Sequence, residues 1–144
     1  MATERTANVV WQGDLLNGSG TIAAVPSGAF GPLDVSWSSR AEEPNGRTSP
    51  EELLAAAWAS CFAMALSSGL AKAGNPPERL DTSATVTFQP GEGITKGVLT
   101  VRGAVPGLDG EAFAAAAEDA KRNCPVSQAL TGIPDVALDA RLAS

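Results

Sequence analysis

Histidine and tyrosine are absent from this chain of 144 residues, and cysteine occurs only twice. Without histidine there can be no Ser-His-Asp triad, no Cys-His pair and no histidine-ligated metal site. A zinc site built on the two cysteines is not expected either, because there is no Cys-x-x-Cys spacing and the other ligands would have to be carboxylates. We therefore expect neither a metal nor a bound cofactor, and any chemistry must depend on cysteine, carboxylate, cationic or hydroxyl groups.

Basic residues are also few, since ten Lys and Arg stand against sixteen Asp and Glu and give a formal charge of -6. Such a chain cannot neutralise a phosphate backbone and release its counterions, so neither nucleic acid nor an anionic membrane is an expected partner. The N-terminal segment lacks the apolar stretch of a secretory signal, which favours a cytoplasmic location. In that reducing compartment Cys61 and Cys124 are expected as free thiols or as a redox-cycling pair.

One uncharged stretch, residues 53–71, approaches the length of a membrane span. It is mostly Ala, Ser and Gly and is bounded by charged residues, so we interpret it as a buried helix of a globular domain. The segment Ser49-Pro50-Glu51-Glu52 matches a capping box with proline at the first helical position. The helix is expected to begin there and to end near Gly74, before two prolines.

The remainder of the chain alternates between strand patterns and turn signals. Extended runs are predicted at 8–12, 21–25 and 34–39, a second hairpin at 80–89 and 94–105, helices at 110–123 and 125–130, and a last strand at 136–142. Because no linker divides this βββ-α-ββ-α-β pattern, we predict one α+β domain over residues 1–144.

The length of the central helix predicts an assembly. A helix of twenty-odd residues is about 35 Å long, which is more than a compact domain of this size comfortably encloses. Small residues recur along it every three to four positions, which would let a second helix approach closely: Ala56, Ser60, Ala63 and Ser67. We expect a homodimer built on two such helices. The alternative is that the sheet alone covers the helix.

The two cysteines lie in different surroundings. Cys61 sits in the middle of the apolar helix, where a buried thiol with no chemical role is a strong alternative to a reactive one. Cys124 precedes Pro125 at a helix start, where backbone N–H groups and the helix dipole favour a thiolate. Among the charged residues, the capping box accounts for Glu52 but leaves Glu51 unexplained.

Several segments together resemble the OsmC/Ohr family of bacterial thiol peroxidases. The resemblance is carried by the runs 48–66 and 124–130, which surround the two cysteines, and by Trp11-Gln-Gly-Asp14 and Ala104-Val-Pro-Gly-Leu-Asp109. It implies an OsmC-like α+β fold, with antiparallel sheets packed around a long central helix, in an intertwined homodimer that reduces organic hydroperoxides. The Ohr branch has an essential arginine in an N-terminal Gly-Gly-Arg loop, which this chain lacks, whereas Arg40 in Trp37-Ser-Ser-Arg40 matches the OsmC branch.

The resemblance also implies roles for four residues. Cys61 would be the peroxidatic cysteine, Cys124 the resolving cysteine, Arg40 the activating cation and Glu51 the carboxylate that orients it. Attack of Cys61 on a peroxide would give an alcohol and a sulfenic acid, which would condense with Cys124 to a disulfide. A dithiol, such as a dihydrolipoyl group, would then reduce that disulfide.

The apolar residues near Cys61 in the sequence indicate the class of peroxide. We expect a substrate pocket formed by Leu54, Trp58, Phe62 and Met64, which would suit alkyl or aryl hydroperoxides better than hydrogen peroxide. Glu51 and Cys61 lie ten residues apart on one helix, or about 15 Å. Antiparallel pairing of two helices near Ala56 would bring Glu51 of one subunit towards Cys61 of the other, so we expect a composite site.

Two other functions remain open from the residues themselves. The protein could be a non-catalytic redox sensor or thiol-bearing binding protein, in which disulfide formation changes contacts with a partner. It could also be a structural dimer with inert cysteines, in which case both thiols would survive exposure to a hydroperoxide. Turnover separates the enzyme from the sensor, because a sensor is oxidised once and needs no fast reductant cycle.

Overall fold

The structure, a computed structural model, describes residues 1–143. Its elements in chain order are β1 (Val9–Gln12), β2 (Ser19–Ile22), β3 (Leu33–Val35), α1 (Trp37–Ala41), α2 (Pro50–Lys72), β4 (Arg79–Gln89), β5 (Gly93–Ala104), α3 (Gly110–Asn123), α4 (Pro125–Ala129) and β6 (Asp135–Leu142). The α+β class predicted from the sequence is confirmed. The chain forms two compact units, Met1–Leu53 and the residues from Leu54 onward.

The first unit contains an antiparallel sheet with the strand order β1-β2-β3. The predicted third strand, 34–39, is wrong beyond Val35, because the chain turns there into the short helix α1. Ser36 caps this helix: its hydroxyl accepts the Ser39 N–H at 3.1 Å, and the Ser39 hydroxyl accepts the Ser36 N–H at 3.0 Å. The reciprocal capping bonds satisfy donors that a strand would have paired in the sheet.

Helix α2 begins and ends close to its predicted limits. The Ser49 hydroxyl accepts the Glu52 N–H at 3.1 Å, and Gly74 lies just beyond the helix with a φ of +92°. That positive φ is one that glycine adopts without strain, so it allows the chain to leave the helix. By length and composition α2 could span a membrane, and 22% of its most apolar stretch is buried within the chain. Much of its apolar surface is therefore uncovered.

The second unit has its core between α2, α3 and the sheet β4-β5-β6. Side chains four residues apart on α2 form a buried stripe, each at most 2% exposed: Trp58, Phe62, Leu66 and Leu70. They share a core with Leu99 and Val101 of β5 and with Phe113 of α3. A four-residue repeat buries one face of a helix and leaves the opposite face out of the core.

The sheet of the second unit is mixed. Strands β4 and β5 form the predicted antiparallel hairpin, whereas β6 pairs with β5 in parallel. The expectation of purely antiparallel sheets is therefore wrong for this pair. The chain between β5 and β6 contains α3 and α4, and a helical crossover of this kind is what a parallel connection requires.

Helix α3 ends immediately before Cys124. Asp109 caps its start by accepting the Ala112 N–H at 2.8 Å, and Phe113, Ala117 and Ala120 are its buried side chains. The Cys124 N–H donates to the Ala120 carbonyl at 2.8 Å, and Pro125 then begins α4. The packing of α3 thus fixes the backbone of Cys124 at the junction between two helices.

Candidate active site

The two cysteines of the chain meet in the second unit. Cys61 lies in the middle of α2 and Cys124 lies between α3 and α4, and both are free thiols that hydrogen-bond to each other. Cys124 is completely buried, whereas Cys61 is partly exposed. A small molecule that arrives from solvent can therefore reach Cys61 first.

The surroundings shift the acidity of the two thiols in opposite directions. Burial raises the pKa of Cys61, and the hydrogen bond and charge of Cys124 raise it further, against a lowering effect of the Val126 N–H. Burial also acts to raise the pKa of Cys124, but hydrogen bonds from Cys61, Ser127 and Val126 outweigh it and lower that pKa overall. Of the two sulfurs, Cys124 is thus the better stabilised as a thiolate.

The start of α4 supplies the donors to Cys124. The backbone N–H groups of Ser127 and Val126 lower the pKa of Cys124, as the sequence predicts for a cysteine that precedes Pro125 at a helix start. The Ser127 hydroxyl also lowers it, and its oxygen accepts the indole N–H of Trp58 at 2.7 Å. Sequence reasoning missed Ser127, because its partner Trp58 is 69 residues away in the chain.

The first unit holds an arginine–glutamate pair, formed by Arg40 at the end of α1 and Glu51 in the first turn of α2. The Arg40 Nε lies 3.0 Å from Glu51 Oε1, and the Nη2 lies 2.9 Å from Oε2. The side chains are 33% and 8% exposed, respectively. Two parallel bonds hold the guanidinium plane in one orientation, and a guanidinium stays charged at any physiological pH.

Local contacts explain why these two residues meet. The Ser39 hydroxyl donates to the Thr48 carbonyl at 3.0 Å, and Val35 and Thr48 form an isolated parallel bridge. These contacts bring α1 to the start of α2 within the first unit. Glu52 behaves differently from Glu51, because its carboxylate accepts the Thr48 hydroxyl at 2.7 Å and so belongs to the cap. Glu51, which the capping box left unexplained, is the partner of Arg40.

A cavity of about 400 Å³ adjoins Arg40 in the first unit, and its walls are largely apolar. It is lined by Trp11, Leu15, Val35, Ser36, Trp37, Arg40 and Pro50. In the sequence, Trp11 and Trp37 stand out only as parts of family motifs, and no residue pattern there indicates a pocket. Leu15 lies in the turn after β1 and carries no pattern that would distinguish it.

The four residues predicted to form a substrate pocket differ widely in exposure. Phe62 is fully buried in the core, and Trp58, at 1% exposed, is buried beside it. Met64 is 72% exposed, and Leu54 is half-buried. The reason is the helical period: residues 58 and 62 lie on the core stripe, and residue 64 falls nearly opposite to residue 62. Within residues 1–143, no group of three or more His, Cys, Asp or Glu side chains is placed to hold a metal ion.

Comparison with known proteins decides the family. The family model described as OsmC-like protein matches residues 43–139, which is more than half of the chain. The chain belongs to the OsmC family. Peroxiredoxin OsmC of Escherichia coli (strain K12) is 39% identical to it over 147 residues, with all of both chains covered. This confirms the resemblance that the cysteine segments and Arg40 indicated.

Solved structures of OsmC relatives show the same fold. The organic hydroperoxide resistance protein OsmC of Legionella pneumophila is 25% identical with a TM-score of 0.69, and the match covers 94% of this chain and 96% of the relative. The organic hydroperoxide resistance protein OhrB of Bacillus subtilis is 25% identical with a TM-score of 0.66, with 96% and 98% covered. The predicted OsmC-like fold is thus confirmed.

Proposed function

We propose that this OsmC protein is a cysteine-based peroxidase that reduces organic hydroperoxides to alcohols, with Cys61 as the peroxidatic and Cys124 as the resolving cysteine. The observation that carries the proposal is the proximity of the two cysteines: Cys61 packs against the buried core that contains Cys124, and each thiol shifts the pKa of the other. The family and the name of the Escherichia coli relative support a peroxidase in the broad sense. The roles proposed for the two cysteines are those that the family resemblance implies.

Exposure supports the order of the two cysteines. A peroxide must reach the sulfur that it oxidises, and Cys61 is partly exposed while Cys124 is buried. The Cys61 thiolate attacks one peroxide oxygen, the O–O bond breaks, and the other oxygen leaves as an alkoxide that takes up a proton. Cys61 becomes a sulfenic acid, and the peroxide is reduced to the alcohol.

Cys61 needs a cation for this step, because burial and Cys124 both raise its pKa. Arg40 is the residue proposed for that task. Its guanidinium favours the thiolate and can donate hydrogen bonds to the leaving oxygen, where negative charge develops. The two bonds from Glu51 hold the guanidinium plane in place. The pair is rigid and charged, which are the two properties that the step requires.

We further propose that each active site combines residues of two subunits. Glu51 and Cys61 stand ten residues apart on the unbroken helix α2, and pairing of two α2 helices would bring Glu51 of one subunit towards Cys61 of the other. The uncovered apolar surface of α2 supports such pairing, and Ala56 and Ser60 on that surface are small enough for close approach.

The cavity beside Arg40 supports an organic substrate. Trp11, Leu15 and Trp37 give it apolar walls that a hydrocarbon group can fill, and hydrogen peroxide has no such group. We therefore assign substrate binding to this cavity rather than to Phe62 and Met64. Alkyl and aryl hydroperoxides should be reduced with a higher kcat/KM than hydrogen peroxide.

The cycle closes in two thiol steps. Cys124 displaces the sulfenic oxygen of Cys61 as water, and a small dithiol such as a dihydrolipoyl group then reduces the disulfide. Both cysteines are free thiols in the structure, which fits a redox-cycling pair in a reducing, cytoplasmic compartment.

Turnover tests the proposal against a one-time redox sensor. The protein is mixed with a hundredfold excess of cumene hydroperoxide and dihydrolipoamide, and alcohol formation is followed. An enzyme makes many equivalents of cumyl alcohol, whereas a sensor makes about one. Cys61→Ser should abolish turnover. Ser60→Ala, which changes the neighbouring residue of α2, should retain it. If the wild type made only a single equivalent of alcohol, the proposal that the protein is an enzyme would be contradicted.

Mixed dimers test the composite site. Glu51→Ala and Cys61→Ser subunits are each expected to be inactive as homodimers. Unfolding and refolding them together should restore one active site in each heterodimer, because Cys61 of the first subunit meets Glu51 of the second. Absence of restoration, with heterodimers demonstrated by mass, would show that Glu51 acts within its own subunit.

A further inference from the structure

The Ser127 hydroxyl lies between the Trp58 indole and the Cys124 sulfur, and this position fixes the direction of its proton. The Trp58 Nε1 is 2.7 Å from the Ser127 oxygen, and an indole N–H can only donate. The Ser127 oxygen is therefore the acceptor in this bond. Its own proton is left to donate to Cys124, which lies three residues earlier at the start of the same helix and whose pKa the Ser127 side chain lowers.

Packing holds the Trp58 ring in the orientation that this bond needs. The side chain is 1% exposed, and the ring lies against Gly97 in the middle of β5. A Cβ added at Gly97 would be only 2.6 Å from the ring. Glycine inside a strand often marks such a close approach. Gly97 thus provides the space in which Trp58 can reach Ser127.

We propose that Ser127, oriented by Trp58, stabilises negative charge on the Cys124 sulfur and thereby sets the rate at which Cys124 closes the disulfide with Cys61. Ser127 acts directly on a reacting atom, and Trp58 is a positioning residue. The inference rests on the proposed function, because it concerns the step that follows peroxide reduction.

The step balances without a further reactant. The Cys124 thiolate attacks the Cys61 sulfur of the sulfenic acid, the S–S bond forms and the S–O bond breaks. The oxygen leaves as hydroxide and takes the proton released from the Cys124 thiol, so that water is the product. Cys124 is oxidised, and the sulfenic sulfur of Cys61 is reduced to the disulfide level.

Several groups act on Cys124 together with the Ser127 hydroxyl. Its pKa is lowered by Cys61 on α2 and by Ser127 and Val126 on α4, against the raising effect of burial. The cations in the last turn of α3 are engaged elsewhere on that helix, since Lys121 pairs with Glu118 and Arg122 pairs with Asp119. Among these donors, the Ser127 hydroxyl is a side chain that substitution can remove without altering the backbone.

Rapid mixing of the full-length protein with one equivalent of cumene hydroperoxide tests the proposal, because it separates the oxidation of Cys61 from the disulfide formation that follows. Acid quenching and intact mass follow the sulfenic acid on Cys61 and its conversion to the disulfide. Loss of the hydroxyl should raise the pKa of Cys124, because the thiolate loses a stabilising donor. For each pKa unit of increase, the thiolate fraction falls about tenfold below that pKa, while the nucleophilicity of each thiolate rises about threefold.

The pH profile of the disulfide-forming rate in Ser127→Ala should therefore cross that of the wild type. For each pKa unit of increase, disulfide formation should be about threefold slower at pH values below both Cys124 pKa values and about threefold faster above them. Trp58→Phe, which keeps an aromatic side chain but removes the indole N–H, should shift the profile in the same direction by less. Ser127→Thr keeps the hydroxyl and should restore the wild-type profile. Its added methyl can extend into the adjoining cavity of about 310 Å³, which Ser127 also lines.

Gln128→Ala is the matched control, because it removes another α4 side chain that bonds to the Arg122 carbonyl and not to Cys124. It should leave the profile unchanged. A Ser127→Ala profile that coincides with the wild type, or that is slower by a constant factor at every pH, would overturn the inference. If the wild type forms no sulfenic acid or disulfide at all, the proposed function fails instead, so the two failures are distinguishable.

Discussion

Replacement of Glu51 by glutamine should destabilise the protein through the loss of one buried charge. The Glu51 side chain is 8% exposed and the Arg40 side chain 33%. Breaking a fully buried pair costs about 3–5 kcal/mol, and an exposed pair is worth at most about 1 kcal/mol. A third of the Arg40 side chain stays in contact with water and gains hydration when the carboxylate is removed. We therefore expect Glu51→Gln to lower the free energy of unfolding by about 1–3 kcal/mol.

Urea unfolding at a fixed protein concentration measures this loss as a shift of the midpoint by about 1 M. The chain offers a matched control in Arg79 and Asp81, which are also joined by a bidentate contact but have 75% and 57% of their side chains exposed. Asp81→Asn should have a smaller effect, and 1 M salt should remove it. The Glu51→Gln effect should persist in salt. Equal effects of the two substitutions, or loss of the Glu51→Gln effect in salt, would refute the reasoning.

Three further predictions test the packing and acidity of the second unit. Gly97→Ala should lower the free energy of unfolding by about 1–3 kcal/mol, because its Cβ would meet the Trp58 ring. Gly69→Ala should raise it by about 0.5–1 kcal/mol, because a Cβ at this helical position meets nothing within 4 Å. Urea titrations of the two variants distinguish the opposite signs. Burial and Cys124 raise the pKa of Cys61, so Cys124→Ala should move the pH midpoint of Cys61 alkylation by iodoacetamide downward, and an unchanged midpoint would contradict the contact between the thiols. Arg102 holds the pKa of Asp139 below its usual value, with a smaller contribution from Arg141. The stability that Asp139 contributes is therefore present above about pH 4 and is lost as the pH falls through the lowered pKa. Between pH 6 and pH 3 the free energy of unfolding should fall less steeply in Asp139→Asn than in the wild type.

The elements that the sequence predicts well are those with local signals. Helix α2 begins at a hydroxyl cap followed by proline and ends at a glycine, and α3 begins at Asp109, so both could be predicted from neighbouring residues. Helix α1 was mistaken for a strand because Val35 and Trp37 alternate with polar residues. Its signal was the pair Ser36 and Ser39, spaced as a capping box.

Long-range features could not be predicted from residue patterns. The parallel pairing of β6 with β5 depends on where α3 and α4 lead the chain, and no local pattern encodes that direction. The roles proposed for Cys61 and Cys124 come from family resemblance, because the apolar neighbours of Cys61 are also what core packing requires. Ser127 has no local signature, because what orients its proton is the indole of Trp58.

The most direct test of the central claim is the free-thiol count and intact mass after one equivalent of cumene hydroperoxide, on wild type and Cys124→Ser. The wild type should lose both thiols and two hydrogen atoms of mass, as an internal Cys61–Cys124 disulfide. Cys124→Ser should accumulate a sulfenic acid trapped on Cys61. Survival of both thiols in the wild type, or a sulfenic acid found on Cys124 in the reciprocal Cys61→Ser variant at the same rate, would contradict the claim.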